Sequence, residues 1–135
     1  MLIHLERKDL INTQQLEVAV NGPDGATYLI LCTGLAELGS ASKGTYTFLV
    51  GPQLSRRQFV GAIASCALST IQTYEKNSAE HNTEAALEAN FISITANYDD
   101  EAGQVKVIAE VSSSLGMTKL AICYNVNILA ELPSF

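Results

Sequence analysis

Alternation dominates the first third of the chain. Leu16, Val18 and Val20 stand at every second position around Glu17 and Ala19, a period of two that predicts a half-buried strand. Asn21-Gly22-Pro23-Asp24-Gly25 follows, a cluster of turn formers. Residues 27–33 are then apolar at both parities, through Tyr28, Leu29, Ile30, Leu31 and Cys32. A strand apolar on both faces belongs in the middle of a sheet or at a second interface. The two runs and the loop between them predict a β-hairpin. Residues 36–44, rich in Gly, Ser and Ala, predict a mobile loop. Tyr46, Phe48 and Val50 alternate with Thr45, Thr47 and Leu49 as a further strand.

Gly51-Pro52 ends that strand, and Ser55-Arg56-Arg57-Gln58 has the form of a capping box. In such a box Ser55 accepts from the Gln58 amide, and the Gln58 side chain returns to the Ser55 amide. Leu54 and Phe59 occupy the hydrophobic-staple positions. Phe59, Val60, Ile63, Ala67, Ile71 and Tyr74 recur at helical spacing, predicting an amphipathic helix over residues 55–74. Its remaining positions are small (Gly61, Ala62, Ala64, Ser65, Ser69), which invites close approach by a sheet or a neighbouring subunit. Residues 75–82 are polar and end the helix, and residues 83–89 fit a short second one.

Three more alternating runs follow. Ile92, Ile94 and Ala96 interleave with Phe91, Ser93 and Thr95; Val105, Val107, Ala109 and Val111 with Lys106, Ile108 and Glu110; and Thr118, Leu120, Ile122, Tyr124, Val126 and Ile128 complete the set. Short loops at residues 99–103 and 112–116 predict an antiparallel meander, since such loops do not make parallel crossovers. The fold class expected is α+β: an antiparallel sheet of about six strands curled on one central α-helix, in a single domain over residues 1–135.

The last run carries Met117, Lys119, Ala121, Cys123, Asn125 and Asn127 on its non-core face, small and mildly polar, and Phe91 puts an aromatic on the non-core face of its strand. A soluble monomer covers such a face with charge. Self-association is therefore expected, with a protein partner as the other occupant, and with Gly61, Ser65, Phe91, Lys119 and Asn125 as the contact positions.

Composition narrows the function classes. Hydrophobic residues make up 47% and charged residues 16%, too apolar for a disordered chain. The formal charge of −6 argues against a sequence-independent grip on nucleic acid, which needs a basic face. No apolar run is long enough to span a bilayer, so no membrane partner is expected. Cys32, Cys66 and Cys123 lie singly within apolar runs, without metal-ligand spacing, and read as free thiols. No metal or cofactor is expected, since no phosphate loop, dinucleotide fingerprint, Gly-x-Ser-x-Gly or His-Glu-x-x-His motif occurs. His4 and His81 are far apart and have no orienting partner in the sequence, and Asp99-Asp100-Glu101 lacks the ligand spacing of a calcium loop.

Two further strings bear on chemistry. Ser55-Arg56-Arg57-Gln58-Phe59-Val60 resembles a twin-arginine export motif, and Ile63-Ala64-Ser65-Cys66 a lipoprotein cleavage box. Both follow 54 residues with strand alternation, where an export signal does not sit, so a cytoplasmic location is expected. Arg56 and Arg57 in a first helical turn oppose the helix dipole beside free amides that attract anions. They are candidates for holding a phosphate, a carboxylate or an acidic patch of a partner; solvation, or pairing with nearby Asp and Glu, is the alternative.

Three functional readings follow. The first is a non-enzymatic homo-oligomeric assembly or protein-interaction module. In element order, a central helix followed by antiparallel strands is similar in outline to the hot-dog fold of thioesterases and dehydratases, which implies an acyl-ligand site. Residues 55–74 lack the acidic residue or histidine that family commonly places there. The third is a structural subunit of a viral or secretion machine.

Overall fold

The computed structural model describes residues 2–22, 25–39, 43–73, 90–112 and 118–131. These form β1 (Leu2–His4), a 3-10 turn (Arg7–Asp9), β2 (Leu10–Gly22), β3 (Gly25–Gly39), β4 (Lys43–Val50), β5 (Phe59–Thr73), β6 (Asn90–Asp99), β7 (Gln104–Ser112) and β8 (Thr118–Glu131). One sheet has the order β1-β4-β7-β6, the other β2-β3-β8-β5. Every neighbouring pair is antiparallel except β1 and β4, which run parallel.

The inner faces of both sheets close on one core. Tyr46, Phe48, Val105, Val107 and Ala109 come from the first sheet, and Ile30, Ala36, Ile122, Val126 and Ile128 from the second. Phe48 and Tyr124 meet across the layers with ring centroids 4.9 Å apart and tilted, an arrangement aromatic quadrupoles favour. Gly34 makes room for that contact, since a Cβ there would stand 2.6 Å from the Tyr124 hydroxyl oxygen. Gly51 leaves the first sheet at φ +80°, where a side chain is strained, and a Cβ would stand 2.7 Å from Ile128 Cδ1. Asn12, at φ 53°, marks the bulge where β2 shifts register against β3.

The α+β expectation is overturned: two four-stranded sheets face each other, and no central helix is present among the described residues. Residues 59–73 are strand β5, paired along their length with β8. The capping box forms only as a turn. The Ser55 amide donates to Gln58 Oε1 at 2.8 Å and the Gln58 amide to the Ser55 carbonyl at 3.0 Å, but the chain then leaves extended. Small side chains at Gly61, Ala62, Ala64 and Ser65 satisfy a period of two as well as one of 3.6. The long edge of β8 supplies a ladder that decides between them, while Gly61 and β-branched Val60 and Ile63 weaken the helix. With the helix gone, the element order behind the hot-dog likeness is gone too.

The meander is also corrected. β6 and β7 pair as a hairpin, but β8 crosses to the other sheet and lies between β3 and β5. Alternation tells which face of a strand is apolar and leaves its neighbours open. Ala36 and Leu38, expected in a loop, continue β3 into the core. The polar stretch 75–82, the short helix expected at 83–89 and His81 lie outside the described residues. Among those described, no helix is long and apolar enough to cross a membrane.

Candidate functional site

The outer faces of the two sheets differ in kind. On the first, the register rows are Thr45–Glu110–Ser93, Thr47–Ile108–Thr95 and Leu49–Lys106–Asn97, a polar surface with both signs of charge. Across β2, β3, β8 and β5 the second reads Val18–Leu29–Leu129–Gly61, then Leu16–Leu31–Asn127–Ile63, then Gln14–Thr33–Asn125–Ser65. Leu35, Cys123 and Ala67 continue it beyond the β2 bulge. None of these positions is charged. Glu131 and Glu37 stand at opposite margins, opposite Thr27 and Ala121.

Strand β2 turns its apolar residues away from the core. Leu16 and Val18 pair with Leu31 and Leu29 on the outer face, while Glu17 pairs with Ile30 on the inner one. From Ile11 to Val20 every β2 residue is exposed. Leu16 is 59% exposed, and Ile63 on the opposite edge strand is 71% exposed. Between them Asn127 has its Oδ1 buried without a hydrogen-bond partner among the described residues. The face is thus uncharged along these rows and exposes the large apolar side chains Leu16, Val18 and Ile63.

Other groups able to do chemistry are held in structural roles. Arg56 pairs with Asp100 at 3.2 Å and lies 5.6 Å over the Tyr98 ring. Tyr98 donates its hydroxyl to the Leu54 carbonyl at 2.6 Å and stacks on Phe59 at 5.5 Å. This cluster fastens the crossing segment 51–58 to the β6–β7 hairpin. Arg57 is exposed beside it. His4 Nδ1 shares a hydrogen bond with the buried Thr47 hydroxyl, tying β1 to β4. An open cleft of about 200 Å³ at one edge of the sandwich is lined by Gln14, Gln15, Cys32, Val50, Gln104 and Tyr124. Burial, reinforced by Glu17, pushes the Cys32 thiol up to about 11, so it stays protonated and weakly nucleophilic at neutral pH. No cluster of three His, Cys, Asp or Glu side chains able to hold a metal occurs among the described residues.

Of the positions singled out in the sequence, Gly61, Ser65 and Asn125 share the apolar outer face, with Ser65 and Asn125 directly paired. Lys119 is on β8, opposite Gln72. Phe91 is on β6 in the other sheet, opposite Val111. Arg56 and Arg57 sit in the turn before β5, off this face. Sequence reasoning did not assign Leu16, Val18, Leu29, Leu31 and Ile63 to it. The signal was present in residues 27–33, whose second apolar parity has no place in the core of a single sandwich. Compared with protein-family models, with curated proteins and with solved structures, the chain matches none of them.

Proposed function

We propose that this protein is a self-associating assembly module that works by surface contact through the outer face of the β2-β3-β8-β5 sheet. One observation carries the reading: three full register rows on that face hold no charge and expose Leu16, Val18 and Ile63, while the other sheet's outer face is polar. The charge-free rows run about eight residues along four strands, and at about 4.8 Å between strands and about 3.3 Å a residue they make a face of about 500 Å². Two such faces bury about 1,000 Å², the low end of specific protein–protein contacts. A cytoplasmic setting suits the reading, because Cys123 is an exposed thiol on this face and stays reduced there.

The test is the mass of the purified chain by sedimentation velocity from about 0.1 to about 100 µM, a range in which interfaces of this size associate. A concentration-dependent dimer or larger assembly is expected. A monomer throughout would falsify the reading.

A further inference from the structure

The face is divided by size. The β2–β3 half carries Leu16, Val18, Leu29, Leu31 and Leu35, with Gln14 and Thr33 in one row between them. The β8–β5 half carries Asn125, Asn127, Cys123, Gly61, Ser65 and Ala67, broken by Leu129 and Ile63. At Gly61 a Cβ would meet nothing within 4 Å, so the surface is low and open there.

We infer that a second copy of this chain stacks on the face with the two-fold axis parallel to the strands, so that the bulky half of each copy covers the small half of the other. The inference rests on the self-association proposed above and adds its geometry. A two-fold along the strands keeps strand direction and reverses left and right, so each register row meets its own row read backwards. Val18 then lies over the partner's Gly61, where no side chain stands in its way, and Leu35 meets the partner's Cys123. Leu16 meets the partner's Ile63, which joins the two most exposed hydrophobic side chains of the face. Aligned sheets cross at about 30°, which moves these edge contacts by about one residue and leaves their pairing intact. A two-fold across the strands instead sets β2 on β2 and β5 on β5, bulk on bulk and small on small. Charge does not oppose the stacking, since the rows brought together carry none and Glu37 and Glu131 at the margins come opposite the partner's Ala121 and Thr27, while a net charge of −6 disfavours less selective contact between copies.

The experiment uses the full chain and four variants, followed by sedimentation velocity and by far-UV circular dichroism as a check of fold. Gly61→Trp sets a bulky side chain where the partner's Val18 lies, at a position where an added Cβ meets nothing within 4 Å, and Leu16→Glu and Ile63→Lys each bury a charge at the contact. Each is expected to raise the dimer dissociation constant about tenfold or more with the spectrum unchanged. The double variant Leu16→Glu/Ile63→Lys sets the introduced carboxylate of one copy against the introduced ammonium of the other and is expected to recover much of the loss. A double variant no better than either single one overturns the parallel axis. A dimer indifferent to Gly61→Trp and Leu16→Glu overturns the stacking while leaving self-association standing, and directs attention to the free edge of β2. A chain that is monomeric before any substitution overturns both.

Discussion

Of the three free cysteines, Cys32 is buried, Cys66 half-buried and Cys123 exposed. Burial raises the Cys66 thiol, and raises Cys32 from 9.0 to about 11 with help from Glu17. Burial likewise raises the Tyr46 and Tyr124 hydroxyls, with Cys32 adding to the effect at Tyr124. Each group loses its proton more readily in the unfolded chain. The contribution of Cys32 to stability is therefore complete below about pH 9 and is lost as pH rises through its folded value of about 11, and the other three groups act in the same direction. The thermal midpoint should hold up to about pH 9 and fall beyond it, and Cys32→Val should flatten part of that fall. In a maleimide time course at neutral pH read by mass spectrometry, Cys123 should label first in dilute, dissociated protein and more slowly as the copies associate, and Cys32 only on unfolding. Early labelling of Cys32 would contradict the burial on which these expectations rest.

At the scale of elements, the alternating runs at residues 16–20, 45–50 and 105–111 are strands, as their period predicts, the doubly apolar run 27–33 is a strand inside its sheet, and the hairpin of β2 and β3 closes with Gly22 opposite Gly25. The segment 55–74 shows why the helix was misread. Its capping signal is real, because Ser55 and Gln58 do exchange the expected bond, but a cap is a local turn and does not commit the residues after it. What commits them is the β8 ladder and the clasp at Tyr98. Tyr98→Phe removes the hydroxyl donated to the Leu54 carbonyl and keeps the ring against Phe59 and Arg56. It should lower unfolding free energy by about 1 kcal/mol in urea titration, as loss of one partly buried hydrogen bond does. Arg56→Ala should change it less, since the Arg56–Asp100 pair is exposed and screened. A larger effect from Arg56→Ala would reverse the relative weight given to the two contacts.

At the scale of the whole molecule, association through an uncharged apolar face behaves differently from association through charge. Raising salt screens the repulsion between copies of net charge −6 and leaves apolar burial intact, so the dimer should hold or tighten at high ionic strength. Its thermal midpoint should also rise with protein concentration, because the partner acts as a ligand of the folded state. Light scattering at low and high salt and a dilution series in calorimetry check both. A dimer that dissolves in salt would mean that an ion-pair surface holds it. The candidate site was half legible beforehand: the mild face of β8 and the small residues of β5 stood out, because they read as weakly charged under any secondary structure. Leu16, Val18 and Ile63 were not read as part of it, because apolar alternation is first assigned to the core.

The amino-acid order by itself determined that residues 16–20, 45–50 and 105–111 are strands with one apolar face, since a period of two is a property of the backbone. It could not determine which way those faces point. Leu16 and Val18 face outward because the register of β2 on β3 sends Glu17 inward, and register is set by partners far along the chain. Residues 59–73 were equally undecided, their small side chains fitting either period, until the open edge of β8 provided hydrogen-bond partners for the whole length of β5. Long-range pairing made that choice, and with it turned a presumed buried rod into one border of an exposed apolar sheet.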